Sequence, residues 1–145
     1  NYRLTDIHAA LALSQLTRID NFLDRRREIV NAYNEAFASM NTISTPVERP
    51  GTLSAWHLYV VEVNAGMEKR RILFDQLRTN GLGVQIHYIP VHLQPYYREM
   101  GFSEGDFPVA ENYASRAISL PIYPAMTNED VAQVVKIIKT ACDAL

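Results

Sequence analysis

A single cysteine, Cys142, stands in 145 residues, so no internal disulfide is available. It falls on the apolar stripe of the last helical segment, where a small thiol packs well, and a reducing, cytoplasmic setting is expected. No apolar run approaches the roughly 20 residues that cross a bilayer, and the polar Asn1-Tyr2-Arg3 start is unlike a signal peptide. Charge of one sign is not in excess either. Fourteen Lys and Arg against 16 Asp and Glu leave a formal net charge of −2, with no electrostatic footprint for nucleic acid. The densest basic run, Arg25-Arg26-Arg27, lies within an amphipathic helical pattern and reads as a solvated face. There is no internal repeat and no low-complexity tract. The chain lacks an initiator methionine and opens in the middle of a polar motif, so a piece of a longer protein is expected.

What is present reads as one ordinary domain, 48% hydrophobic and 21% charged. Thr5 caps a helix over Asp6 to about Arg18, with Ile7, Ala10, Leu11 and Ser14 on one face. Its alanines at 9, 10 and 12 permit close approach, which predicts a buried or interfacial helix. A second helix opens near Asp20 and carries Phe22, Leu23, Ile29, Val30, Tyr33, Phe37 and Met40 at helical spacing. Its roughly 20 residues span about 30 Å, a length suited to linking domains or lining a dimer interface. Pro46, Pro50 and Gly51 mark 41–54 as a loop without regular structure.

Strands are predicted over 56–63, 83–88 and 118–120, and helices over 67–79, 95–100, 110–117 and from Thr127 to the end. Asn80-Gly81 stops the helix before it with a left-handed cap. Thr127-Asn128-Glu129-Asp130 resembles a capping box with Asp in place of Glu or Gln. The resulting fold class is α+β. Two long N-terminal helices (1–40) lead into a three- or four-stranded, mainly antiparallel sheet covered by helices on one side (55–145).

Chemistry concentrates in the segment from Gly83 to Tyr97, which holds two histidines, three tyrosines and two prolines. Imidazoles and phenols set hydrogen-bonding tips on flat apolar bodies, while Pro90 and Pro95 restrict the backbone and lower the ordering cost of binding. Such a loop suits a polar, ring-shaped ligand, and His87, Tyr88 and His92 are the candidate contacts. Tyr96-Tyr97-Arg98 reads equally as a helical turn with one tyrosine packed inward. A metal site is not favoured, because the five-residue step from His87 to His92 has no neighbouring Cys or acid to complete a ligand set. No serine sits in a nucleophile elbow, and Cys142 is on a core stripe. His57 and His8 read as structural histidines.

Three segments read together carry a resemblance: residues 1–10 (Asn-Tyr-Arg-Leu-Thr-Asp-Ile-His-Ala-Ala), 87–92 (His-Tyr-Ile-Pro-Val-His) and 118–124 (Ile-Ser-Leu-Pro-Ile-Tyr-Pro). The combination resembles the C-terminal part of the sugar-nucleotide aminotransferases of the DegT/DnrJ/EryC1/StrS family. Residues 93–97 and 105–108 look most like members that aminate a UDP-linked 4-keto-6-deoxy amino sugar in pseudaminic acid synthesis. Those making UDP-4-amino-4-deoxy-L-arabinose come second. The resemblance implies a fold type I aminotransferase in which residues 1–145 form the smaller α+β domain and a large domain holds pyridoxal 5'-phosphate. It also implies L-glutamate as amino donor, a sugar-nucleotide acceptor and a homodimer.

By resemblance, Asn1 and Arg3 match the Asn and Arg of a Gly-x-Asn-x-Arg signature that meets the cofactor phosphate, Asn1 reaching across the dimer to the partner subunit. His87, Tyr88, His92 and Tyr97 match the loop lining the sugar-nucleotide pocket. The chain departs from the family in what it lacks: its three lysines, Lys69, Lys136 and Lys139, lie on helical faces and none sits in the family's cofactor-lysine motif, and the acidic residue expected at the pyridine nitrogen and most of the phosphate cup are absent with it. No catalytic residue is therefore assigned, and this chain alone is expected to be inactive. A free-standing sugar-nucleotide-binding or regulatory module is the competing expectation.

Overall fold

Alternation in Tyr59-Val60-Val61-Glu62-Val63 puts Tyr59, Val61 and Val63 on one face, and all three are buried. In the computed structural model, which describes residues 2–145, this segment is β2 (Tyr59–Val63), the middle strand of a three-stranded sheet. It pairs antiparallel with β1 (Ile43–Ser44) and with β3 (Ala117–Leu120). The register sets Tyr59 against Leu120, Val61 against Ile118 and Ile43 against Val63, so one face is continuously apolar.

Three helices close on that face. α2 (Ile19–Phe37) contributes Ile29, Val30, Tyr33 and Phe37, α3 (Gly66–Thr79) Leu73 and Leu77, and α6 (Asn128–Asp143) Val131, Val134, Ile138, Ala141 and Cys142. All belong to one core cluster. At its centre the Tyr33 ring lies 5.1 Å from Tyr59, edge-on, and 5.7 Å from Phe37. α6 starts on the expected box: Thr127 Oγ1 accepts from the Asp130 amide at 3.1 Å, and Asp130 Oδ2 accepts from the Thr127 amide at 2.8 Å. Aspartate serves because those bonds, the backbone one above all, hold its carboxyl below the usual carboxylate range. Burial pushes the Cys142 thiol up to about 11, so it stays a neutral packing group.

Several expectations are corrected. The sheet is not covered on one side only: β3 is buried at all four positions, with α5 (Pro108–Arg116) against β2 on the second face and Arg116 paired to Glu62 at 2.6 Å. The 41–54 loop yields the short edge strand β1. The strand expected from residue 56 begins at Tyr59, because the carbonyls of Trp56 and His57 accept from Arg26 Nη1 at 2.9 and 3.3 Å and are lost to the ladder. The expected 83–88 strand reduces to one bridge, Gln85 to Ser119. Past it the chain is held by a side chain instead, His87 Nδ1 lying 2.8 Å from Ser119 Oγ.

The basic run is not a solvated face. Arg25 donates to the Met126 carbonyl through Nε and Nη2, at 3.1 and 2.8 Å, and Arg26 also reaches the Ile122 carbonyl at 3.1 Å. Only Arg27 keeps the expected surface role, with Asp24 at 3.1 Å. These arginines tie the start of α2 to the turns flanking the sheet.

α1 (Asp6–Leu16) is capped by Thr5, whose Oγ1 accepts from the His8 amide at 3.3 Å. None of its residues is buried within this chain, and Ile7 and Leu13 are 81% and 65% exposed. Apolar side chains occur on every side of it, the composition of a helix enclosed by other structure. No described helix is long and apolar enough to cross a membrane.

Candidate functional site

The His/Tyr segment is positioned from both ends. α3 closes with Gly81 in the left-handed region (φ 82°), where the Leu82 amide donates to Leu77 O and the Gly81 amide to Arg78 O, both at 3.0 Å. Val84 is then fully buried, and the Gln85–Ser119 bridge fixes the direction in which the loop leaves the sheet. A 3-10 turn over Val91–Leu93 follows Pro90, and α4 (Pro95–Glu99) starts on Pro95, whose missing amide costs nothing at a first helical position.

This loop stands over α3 and α5 and encloses a groove of about 540 Å³. The loop lines it with Tyr88, Ile89, Pro90 and Leu93, and the turn and first residues of α5 with Glu104, Pro108 and Glu111. Arg70 of α3 and Asn112 and Ser115 of α5 complete its polar lining. Arg70 donates from Nε to the Ser115 carbonyl at 3.1 Å, which fixes the guanidinium side-on; its Nη atoms have no hydrogen-bond partner among the described residues. The groove thus combines a phenol, an amide, an arginine, the carboxylates of Glu104 and Glu111 and apolar side chains, a mix that orients a small polar ligand.

The expected site residues separate. Tyr88 lines the groove and is 70% exposed. His87 lies beside it, rings 4.6 Å apart and edge-on, with Nδ1 committed to Ser119. His92 is only 7% exposed, packs on Phe107 at 4.7 Å and gives its Nε2 to Glu111 Oε1 at 2.8 Å. Tyr97 packs against Phe102 at 6.4 Å and is not among the groove residues. Arg3 is exposed at the start of the described chain, and Asn1 lies outside the described residues. His57 is exposed rather than an enclosed structural histidine, and it borders a second, wider hollow of about 850 Å³ with Phe22, Arg26 and Tyr123. His8 is likewise exposed, bonded locally to Thr5. Among the described residues no cluster of His, Cys, Asp or Glu has the arrangement to hold a metal ion.

Arg70 and Glu111 were not legible as site residues. Each sits in an ordinary amphipathic helix, and only the tertiary arrangement turns them toward the loop. The lysines give a clear result for a cofactor held through a lysine. Lys69 Nζ bonds the Leu145 carbonyl, Lys136 and Lys139 are exposed on α6, and none lines the groove. The residues of this chain therefore do not provide such a hold.

Residues 1–139 match the model of the DegT/DnrJ/EryC1/StrS aminotransferase family. The chain is 39% identical over 138 residues to the spore coat polysaccharide biosynthesis protein SpsC of Bacillus subtilis, covering 92% of this chain and 36% of that protein. Among solved structures it is similar to Spr1654 of Streptococcus pneumoniae, described as a sugar aminotransferase and solved in PLP and PMP forms. The TM-score is 0.91 at 30% identity, over 98% of this chain and 36% of that one. It shares its fold with Helicobacter pylori PseC, TM-score 0.91 at 23% identity, covering 100% of this chain and 39% of that one. The chain thus spans little more than a third of the length of the relatives it matches.

Proposed function

Because this chain belongs to the DegT/DnrJ/EryC1/StrS aminotransferase family, we propose that it is the small-domain part of a pyridoxal-phosphate-dependent sugar aminotransferase. The reaction assigned to the complete enzyme moves the amino group of L-glutamate to a 4-keto sugar nucleotide. The substrate favoured is a UDP-linked 4-keto-6-deoxy amino sugar, as for UDP-4-amino-4,6-dideoxy-N-acetyl-β-L-altrosamine transaminase. The UDP-4-amino-4-deoxy-L-arabinose enzyme is the nearest alternative. The observation that carries this reading is the groove under Tyr88, built from the loop whose sequence suggested a ring-shaped polar ligand.

Pyridoxal phosphate supplies the electron sink for such a transfer when bound; the lysine that would hold it is assigned to residues other than those of this chain. The chain's own task is to receive the sugar nucleotide. Tyr88 offers a phenol that donates and accepts, on a ring broad enough to cover a sugar. His87, its Nδ1 held by Ser119, keeps Nε2 for the ligand. The free edge of Arg70 suits an anionic phosphate oxygen. Asn1 and Arg3 are assigned to the cofactor phosphate. The α1 helix, whose exposed Ile7, Leu11, Leu13 and Leu16 are uncovered within this chain, is assigned to the contact with the large domain and the second copy of a cytoplasmic homodimer.

Two measurements test this. The complete gene product, given L-glutamate and a panel of 4-keto sugar nucleotides, is expected to form an amine identified by mass spectrometry and NMR; a panel without any product sinks the reading. In that enzyme, His87→Ala is expected to raise the sugar-nucleotide KM about tenfold, the worth of one polar contact, while the glutamate half-reaction stays within about twofold. Equal damage to both half-reactions would make His87 a folding residue. The missing lysine favours a second reading, a sugar-nucleotide-binding module without catalysis. A complete coding sequence with no lysine-bearing large domain would select it.

A further inference from the structure

His92 and Glu111 are the least exposed titratable pair in the loop region, with side chains 8% and 17% exposed. The Glu111 carboxylate accepts from three donors, one of them shared between both oxygens. Oε1 takes His92 Nε2 at 2.8 Å, the Phe107 amide at 3.1 Å and the Gly105 amide at 3.0 Å, and Oε2 takes the Gly105 amide again at 2.9 Å. A carboxylate is the acceptor in each bond, so His92 Nε2 carries a proton and donates. The two backbone donors belong to the turn leading into α5. Gly105 has a φ of 97°, a left-handed shape that side-chain-bearing residues adopt with strain.

The consequence is geometric. His92 does not line the groove itself; it lies behind the lining, in the loop segment between Pro90 and Leu93, which do line it. Glu111 lines the groove with Glu104 and Pro108, the residues that bracket the 105–107 turn. The pair is the polar link between the loop and the turn, and the surrounding contacts are rings: Phe107 on His92 at 4.7 Å, Phe102 on Phe107 at 6.0 Å and Tyr97 on Phe102 at 6.4 Å. Apolar ring contacts resist separation but tolerate sliding, whereas hydrogen bonds to one carboxylate fix position.

We propose that His92 and Glu111 form a clasp that sets the width of the groove by holding the 104–108 turn against the 86–93 loop. His92 is then a positioning residue for the substrate and Glu111 its partner. This rests on the reading that the groove receives the sugar nucleotide. The Gly105 amide first, then that of Phe107, and His92 hold the Glu111 carboxyl below its ordinary range. Glu111 therefore stays a carboxylate at neutral pH, and its hold on the turn loosens as pH falls through that depressed value.

The test uses the complete enzyme and a UDP-linked 4-keto-6-deoxy-N-acetylhexosamine. Glu111→Ala is expected to raise hydrogen exchange at the Gly105 and Phe107 amides and to weaken binding of the sugar nucleotide about tenfold, with the glutamate half-reaction within about twofold. His92→Ala should weaken binding in the same sense, and His92→Gln, whose amide can donate to the same carboxylate, should recover most of it. If Glu111→Ala does not fold, the His92 pair decides. Faster exchange at Gly105 and Phe107 with unchanged binding, or no recovery in His92→Gln, overturns the clasp while normal binding by the unsubstituted enzyme leaves the functional reading standing. No sugar-nucleotide binding by the unsubstituted enzyme overturns that reading, and the clasp's role with it.

Discussion

The 145-residue chain, purified and supplied with pyridoxal phosphate, L-glutamate and a 4-keto sugar nucleotide, is expected to form no amine product above the background of free cofactor. The reason lies in three side chains. Transamination needs an amine that bonds the cofactor and then moves a proton between carbon atoms, and in a protein that amine is a lysine. Lys69 is tied to the Leu145 carbonyl, on the edge where α3 meets the C-terminus. Lys136 and Lys139 are exposed on α6, on the solvent side of a helix whose other face is core. Neither helix can turn its lysine inward without exposing Leu73 and Leu77, or Val134 and Ile138.

The expected loss is complete rather than partial. Tyr88, His87 and Arg70 can bind and orient, and orientation alone raises the rate only of a reaction whose reacting groups are present. Binding should therefore persist where catalysis does not: the chain is expected to retain weak affinity for the sugar nucleotide, measurable by calorimetry and reduced in Tyr88→Ala. Turnover by the purified chain, checked by mass spectrometry of the product, would place a reactive amine where the structure has none and undo the division of labour argued above.

The sequence was most readable where one residue type has one use. Thr127 and Asp130 form their reciprocal cap, Gly81 adopts the left-handed stop, and the stripe Val131, Val134, Ile138 and Ala141 faces the core. Periodicity also found β2, α2 and α3, since burial on one face leaves a pattern. It failed where long-range partners decide. Arg25 and Arg26 look like surface charge until the carbonyls of Met126, Ile122 and Trp56 are brought to them. The segment after Gly83 has strand composition, yet β3 offers it a single bridge. The loop itself was visible from its ring content, but the division of roles within it was not. His92 and Tyr88 differ by burial, which depends on Glu111, nineteen residues further on.

Tyr33→Ala is expected to destabilise the chain by about 4–8 kcal/mol, read as a large drop in the urea midpoint. Tyr33 is fully buried, contacts the rings of Phe37 and Tyr59, and donates its hydroxyl to the Pro121 carbonyl at 2.8 Å. Truncating a buried aromatic ring costs about 3–5 kcal/mol, and leaving the Pro121 carbonyl without its donor adds about 1–3 kcal/mol. Against the roughly 5–15 kcal/mol that stabilises a domain, that sum removes about half of a typical margin and all of one at the low end. Tyr33→Phe separates the two parts: it keeps the ring and should cost only about 1–2 kcal/mol, read as a shift of the urea midpoint at constant slope. Alkali gives an independent reading. Burial, with Tyr59 and Tyr123 adding smaller contributions, raises the Tyr33 hydroxyl well above its ordinary value, so the unfolded chain ionises first and stability should fall as pH climbs past the usual tyrosine range. Tyr33→Phe should blunt that fall. Equal urea midpoints for Tyr33→Ala and the unsubstituted chain would mean that the α2 face does not pack on β2 as described, and the Pro121–Pro124 turn would lose its anchor.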